Sequence, residues 1–152
     1  MNDIYHTCHC LGRKFTFDQW IEYAQAHPHS GNEPIFEEFG FKWNIHDICI
    51  NPHTINILPR KASGFERLAI DTAQTSKGWV YGILYSGLDD DEGAGGGFGA
   101  GYARPTIGYF ATENAAIIAA LERCKRKKLR KEYASLIDLE IAMRQNPQLT
   151  LF

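Results

Sequence analysis

Residues 78–87, GWVYGILYSG, form the stretch that most strongly indicates the fold class. From Trp79 to Tyr85 every second position carries an aromatic or β-branched side chain, a pattern typical of a β-strand with one buried face. The preceding SKG, residues 76–78, contains residues that favour a tight turn. We therefore expect this stretch to be a strand of an antiparallel sheet.

A helix is predicted to begin directly after Thr112. Threonine is a favoured N-cap residue, and the following segment 113–124, ENAAIIAALERC, places its aliphatic residues on one stripe. The helical pattern continues to residue 145, and Pro147 then ends it. A helix of about 33 residues exceeds the usual length. One long helix and two helices that meet near Ala134 are therefore both compatible with the pattern.

The N-terminal third predicts short strands and one helix. The segments IYHTCHC and KFTF flank Gly12 and alternate as the two arms of a hairpin. Thr16 and Gln19 form a capping box ahead of a short amphipathic helix that ends before Pro28. Residues 36–60 contain aromatic and β-branched pieces that are broken by glycine, asparagine and proline, so further short strands are expected there.

Two later stretches are less decisive. Ser63 and Glu66 form a capping box, whereas residues 68–72 alternate as a strand would, so helix and strand both stay open. The acidic run DDDE at 89–92 leads into GAGGGFGAG at 93–101, which predicts a flexible loop.

Length and composition favour an ordinary globular fold. The chain has 152 residues, of which 44% are apolar and 22% charged, and this usage excludes disordered, collagen-like and coiled-coil proteins. Together the patterns predict one α+β domain over residues 1–145. It would hold a small antiparallel sheet with an N-terminal helix and a long or broken C-terminal helix, followed by a tail at 146–152.

The sequence also bears on the cellular compartment. No run approaches the ~18 apolar residues of a membrane span, and the N-terminus lacks the basic and apolar stretches of a secretory signal. The four cysteines are too few for a disulfide scaffold of this size, so reduced thiols or metal ligands are expected. These features predict a cytoplasmic protein without a membrane partner.

Positive charge is concentrated in one segment, although the formal net charge is only −2. Seven of the 16 basic residues fall within nine positions, and they are Arg123, Lys125, Arg126, Lys127, Lys128, Arg130 and Lys131. On a helix they could neutralise several phosphates, which makes DNA or another acidic surface a candidate partner. The alternative is a solvated helix face whose cations have local acidic partners.

The last five residues, QLTLF at 148–152, carry the strongest functional signal. They resemble the pentapeptide Q-L-(S or D)-L-F with which bacterial polymerases, repair proteins and many phage or plasmid DNA-handling proteins bind the β sliding clamp. The match departs from that pattern at Thr150, where Ser or Asp is commonest. It covers five residues and implies nothing about the fold of the domain.

The resemblance implies a role for each matching side chain. Four residues are expected to bind the partner, and they are Gln148, Leu149, Leu151 and Phe152. In the family the glutamine occupies a small polar pocket, while the last leucine and phenylalanine fill an apolar one. A buried apolar side chain contributes ~1.5 to 3 kcal/mol, so a few anchors can offset the ordering of a short peptide. A terminal segment after Pro147 is also expected to extend from its domain.

Metal and catalytic signatures are incomplete. Four residues that could supply zinc ligands are Cys8, Cys10, Cys49 and His53, but C-x-C is tighter than the usual zinc spacing. Buried thiols and surface histidines are therefore the favoured interpretation. No nucleophile, base and orienting group can be assembled from residue order, so no catalytic residue, metal or cofactor is predicted.

Two functional hypotheses follow from the sequence. The first is a non-enzymatic accessory protein of DNA replication or repair, of bacterial or mobile-element origin. It would bind the sliding clamp through 148–152, as recruiter or inhibitor. The second is a nucleic-acid-binding module that uses the basic helix 123–131, with the tail packed on its own domain.

Overall fold

A computed structural model provides the coordinates of the chain. It describes residues 5–8, 13–16, 18, 22, 25–26, 34, 36–44, 48–58, 66–88, 95–98, 108–126 and 129–146. Its strands and helices are β1 (Tyr5–Cys8), β2 (Arg13–Thr16), β3 (Phe36–Glu38), β4 (Phe41–Trp43), β5 (His53–Leu58), β6 (Arg67–Thr75), β7 (Gly78–Ser86), β8 (Gly95–Phe98), α1 (Glu113–Cys124) and α2 (Lys131–Gln145). The predicted α+β class is confirmed.

The largest sheet has four antiparallel strands in the order β5-β6-β7-β8. Strand β7 is the segment that the alternating pattern predicted, and it pairs with β6 along its whole length, from Arg67 opposite Ser86 to Thr75 opposite Gly78. The stretch that was open between helix and strand is therefore a strand. Its nine residues are almost all buried, and tertiary packing on both faces outweighs the local capping signal.

Two small hairpins precede this sheet. Strands β1 and β2 pair antiparallel on either side of Gly12, which confirms the predicted N-terminal hairpin. Strands β3 and β4 form a second hairpin with Phe36 opposite Trp43. Most of the helix predicted before Pro28, including Trp20, lies outside the described residues.

The glycine-rich segment departs from its prediction. Gly95–Phe98 is not a loop but the strand β8, which pairs with β7 from Ile83 opposite Phe98 to Ser86 opposite Gly95. Glycine weakens a strand because it has high entropy in the unfolded chain and no side chain to pack. Residues 95–98 form a strand because β7 supplies their hydrogen-bond partners, although glycine has a low strand propensity.

Helix α1 begins as predicted. The side chain of Thr112 accepts a hydrogen bond from the backbone N–H of Ala115 at 3.0 Å, so the expected N-cap is confirmed. Ile117 and Leu121 of its apolar stripe are buried in the core.

Of the two alternatives that the pattern left open, the two-helix one is found, but the break lies before Ala134. Helix α1 ends at Cys124, and α2 begins only at Lys131. Arg130 has extended backbone angles, and its N–H donates to the carbonyl oxygen of Leu88 at 2.9 Å. The helix is interrupted where Arg130 bonds to the segment after β7. Repulsion between the like charges of residues 123–131 also disfavours a continuous helix.

Two apolar clusters cover the opposite faces of the four-stranded sheet. Ile70 and Ile83 pack with both helices on one face. Successive side chains of a strand point to opposite faces, and Ala73 and Val80 lie an odd number of residues from Ile70 and Ile83. They pack on the other face, with the β3–β4 hairpin and the fully buried Trp43. The helices and the hairpin are therefore the two layers that enclose the sheet.

The described part of the chain contains no helix with the length and apolar character that crossing a membrane would require.

Candidate binding surfaces

The predicted clamp-binding residues lie outside the described part of the chain, and they are Gln148, Leu149, Leu151 and Phe152. The last described residue is Asn146. Helix α2 is closed by Asn146, whose N–H donates to the carbonyl oxygen of Ala142 at 3.0 Å. Gln145 and Asn146 are both exposed, so the chain reaches this point at the protein surface.

The predicted basic residues lie where α1 ends and α2 begins. They do not form one continuous helix, so the basic helix 123–131 of the second hypothesis is wrong as a structural element. Arg123 belongs to the last turn of α1, Lys125 and Arg126 form a turn, and Lys131 opens α2. Lys127 and Lys128 lie outside the described residues.

An ion pair partly neutralises the positive charge of the segment between α1 and α2. The Nζ of Lys125 lies 2.7 Å from a carboxylate oxygen of Asp138, and this hydrogen-bonded pair raises the pKa of the lysine. Arg123 and Arg130 are half-buried, whereas Arg126 and Lys131 are exposed. The solvated-face interpretation accounts for the Lys125–Asp138 pair, and nucleic-acid binding by the exposed members stays a prediction.

An apolar groove, not identified from the sequence, lies between the sheet and α2. It is narrow, with a volume of about 20 Å³, which is room for about one water molecule. Strands β5 and β6, the segment after β7 and the first half of α2 all line it, through Ile57, Leu58, Leu68, Leu88, Tyr133, Leu136 and Ile137. The sequence pattern shows these as ordinary apolar positions. Only the tertiary arrangement reveals that they leave a groove between them.

One side of α2 carries a partly exposed apolar stripe. Leu136 and Leu139 are 49% and 56% exposed, although leucine side chains usually lie in the core. Met143 follows at the spacing i, i+3, i+7, which places the three residues on one side of the helix, and it is half-buried. The stripe runs from the groove toward the C-terminal end of α2. We call Leu136, Leu139 and Met143 the α2 stripe.

A histidine and a carboxylate meet at the other end of the sheet. The Nδ1 of His53 lies 2.9 Å from a carboxylate oxygen of Glu113, the first residue of α1. The ring of Phe41 packs against the imidazole edge-to-face at 4.9 Å. Both side chains are partly exposed, so this contact links β5 to α1 at the surface.

Of the four alternative zinc ligands, Cys10 and the side chain of Cys8 lie outside the described part of the chain. Within that part of the molecule, no three His, Cys, Asp or Glu side chains form a group suited to a metal ion. Cys49 is buried, its thiol contacts the amide oxygen of Asn51 at 3.5 Å, and desolvation raises the pKa of the thiol to about 11. A protonated thiol is a poor nucleophile and a poor metal ligand.

The pKa of Cys49 predicts a specific alkaline instability. An unfolded thiol ionises near its ordinary value of 9.0, whereas the buried thiol stays neutral until about pH 11. Between these values the unfolded state releases a proton that the folded state retains, so the unfolding free energy falls by roughly 1.4 kcal/mol for each pH unit. Below pH 9 this contribution is constant.

Urea denaturation of the natural chain and of Cys49→Ala at several pH values measures this effect. The stability advantage of the natural chain over Cys49→Ala should be constant up to pH 9 and then shrink toward pH 11. Parallel pH profiles for the two proteins would show that Cys49 is not desolvated.

Comparison with protein-family models, with curated proteins and with solved structures found no match to this chain.

Proposed function

We propose that this protein is an accessory factor of DNA replication or repair, of bacterial or mobile-element origin, that binds the β sliding clamp through residues 148–152. Binding either brings the folded domain to replicating DNA or occupies the groove that polymerases need. The observation that carries the proposal is the sequence QLTLF itself.

The chemistry of the segment supports this function. Leu149, Leu151 and Phe152 are apolar anchors, and the amide of Gln148 can both donate and accept hydrogen bonds, which suits the polar end of a peptide groove. Asn146, the last described residue, is exposed at the end of α2, and Pro147 cannot continue the helix. The proposed binding peptide begins two residues beyond this surface position.

The direct test is a titration of purified bacterial sliding clamp with the full chain. The double substitution Leu151→Ala and Phe152→Ala should weaken binding by at least about 100-fold, because each anchor contributes ~1.5 to 3 kcal/mol when buried. Thr150→Ser is the matched control, since it introduces a residue that is common at this position in clamp-binding pentapeptides and should retain affinity. The far-ultraviolet circular dichroism of all variants should be unchanged.

The outcome separates the proposal from its alternatives. Equal clamp binding by the natural chain and the double variant would reject the tail as the binding element. No association of the natural chain at high micromolar concentrations would reject the clamp as partner. Primer extension with clamp-dependent polymerase then distinguishes an inhibitor, which slows synthesis, from a recruiter, which does not.

A further inference from the structure

One large apolar side chain is presented at the turn of the β3–β4 hairpin. Phe39 is 59% exposed, the highest fraction among the large apolar side chains that the structure describes. It also has a φ of +55°, and no other non-glycine residue in the described part of the chain has a positive φ. The fold therefore exposes an apolar ring in a backbone conformation that a bulky residue rarely adopts.

Local turn chemistry does not account for this residue. Phe39 and Gly40 both have positive φ in a two-residue turn, a geometry for which Asn-Gly is the preferred pair. Phenylalanine adds left-handed backbone strain at the first position, and its exposed ring contributes little burial to offset that strain. A strained and exposed side chain points to a role in binding. We call Phe39 and Gly40 the hairpin tip.

The side chain of Asn51 holds the hairpin tip in place. Its Oδ1 accepts a hydrogen bond from the N–H of Lys42 at 2.6 Å, and its Nδ2 donates to the carbonyl oxygen of Gly40 at 3.0 Å. The N–H of Ile50 also donates to the carbonyl oxygen of Lys42 at 2.9 Å. Because these bonds already fix the turn, the backbone that carries Phe39 loses little freedom when its ring is bound.

Helix α2 ends at the same end of the sheet as the hairpin tip. The Nδ2 of Asn114 donates to the carbonyl oxygen of Arg144 at 2.8 Å, which ties the start of α1 to the last turn of α2. The neighbouring Glu113 contacts His53, the first residue of β5, at 2.9 Å. His53 in turn follows Asn51 by two residues. These contacts connect the end of α2 to the hairpin tip across one end of the sheet.

The separation is short enough for one partner to span. The hairpin and the helices cover opposite faces of the sheet, and packed layers lie roughly 10 Å apart, so the hairpin tip and the end of α2 are about 20 Å apart. Gln148 follows Asn146 by two residues, which is at most about 7 Å of chain. A protein domain is about 30 Å across, so a protein that holds 148–152 has surface within reach of Phe39.

The charges beside Phe39 favour a protein partner over a nucleic acid. Glu37 and Lys42 are exposed and lie opposite each other in the hairpin, and Glu38 is half-buried. Two carboxylates outnumber one ammonium group, so the hairpin tip would repel a phosphate backbone. An aromatic ring in these surroundings suits an apolar pocket on a protein surface.

We propose that Phe39 is a second apolar anchor, which contacts the sliding clamp outside the groove that holds residues 148–152. The inference rests on the proposed function, because binding of 148–152 is what brings the clamp to this end of the sheet. Two linked contacts reinforce each other, since the first holds the second at a high local concentration. One side chain therefore adds affinity that it could not supply alone.

Titration of purified sliding clamp with the full chain tests the second anchor. Phe39→Asn should weaken binding by about 10-fold, which corresponds to about 1.4 kcal/mol, a loss within the range of interface anchors. Asparagine tolerates positive φ, so the same variant should keep or raise the Tm. Leu139→Gln is the matched control, since Leu139 is 56% exposed but lies in the middle of α2, and it should retain the affinity of the natural chain.

The outcomes separate this inference from the proposed function. Equal clamp binding by the natural chain and Phe39→Asn, with binding lost in Leu151→Ala and Phe152→Ala, would overturn the second anchor and leave the proposed function intact. No association of the natural chain would reject the proposed function and the second anchor with it.

Three further results would also overturn the second anchor. A lower Tm of Phe39→Asn would show that the ring serves the fold. An equal loss of affinity in Leu139→Gln would show that the effect is not specific to the hairpin tip. A loss seen only when the clamp is loaded on DNA would assign the contact of Phe39 to the DNA.

Discussion

Gly78→Ala is expected to destabilise the domain by about 3 kcal/mol or more. Gly78 has a φ of +132°, which L-residues rarely adopt, and such strain costs ~1 to 3 kcal/mol. A methyl group there would also lie 2.8 Å from the carbonyl oxygen of Phe110, and that backbone atom cannot rotate away.

The clash disrupts a specific pair of hydrogen bonds. The N–H of Trp79 donates to the carbonyl oxygen of Phe110 at 2.7 Å, and the N–H of Phe110 donates back to Trp79 at 2.9 Å. Any shift that relieves the overlap weakens this pair, and each bond contributes ~1 kcal/mol. Because a loss of 1 kcal/mol lowers the Tm of a domain this size by ~2 to 4 °C, the Tm should fall by ~6 to 12 °C.

Two other glycines provide matched controls. Gly40 and Gly108 also have positive φ, +83° and +76°, but an added methyl group at either would meet no atom within 4 Å. Alanine at these positions should cost only the conformational strain, ~1 to 2 kcal/mol. If thermal denaturation gives Gly78→Ala and Gly40→Ala the same Tm, the close approach of the Phe110 backbone to Gly78 is refuted.

Trp43→Ala is expected to destabilise the chain by ~3 to 5 kcal/mol, the usual cost of removing a buried aromatic side chain. Trp43 is fully buried, and it packs with Ala73 and Val80 on the sheet face opposite the helices. Its loss removes the centre of that apolar cluster. Urea denaturation followed by far-ultraviolet circular dichroism measures the unfolding free energy.

Trp43→Phe separates packing from polarity at the same position. The indole Nε1 of Trp43 is buried without a hydrogen-bond partner in the described part of the protein, and such a group costs ~1 to 3 kcal/mol. Phenylalanine removes that group and keeps much of the apolar contact, so its cost should be less than half that of Trp43→Ala. Equal costs for the two variants would show that the whole indole volume, and not only an aromatic ring, is required.

Local sequence patterns predicted the elements that local physics specifies. The alternation from Trp79 to Tyr85 corresponds to β7, and Thr112 caps α1, because strand alternation and end-capping depend on residues within a few positions. The clamp-binding prediction has the same origin, since a linear peptide carries its recognition chemistry in its own five residues.

Other features required contacts between distant residues. Gly95–Phe98 is a strand because β7 lies beside it, and the helical run breaks where Arg130 bonds to Leu88, 42 positions earlier in the sequence. Neither partner is visible in the local pattern. A propensity of a few tenths of a kcal/mol per residue is outweighed when a long-range pairing satisfies several backbone groups at once.

The amino-acid order alone therefore determined the α+β class, the central strand, the first helix and the peptide proposed to bind a clamp. Tertiary structure alone decided that the basic residues surround a turn, that Cys49 is a buried thiol, and that Leu136 borders an apolar groove. The physical reason is range: hydrogen-bond caps and side-chain periodicity act over one or two turns of chain, whereas desolvation and groove shape depend on segments that meet only in the folded protein.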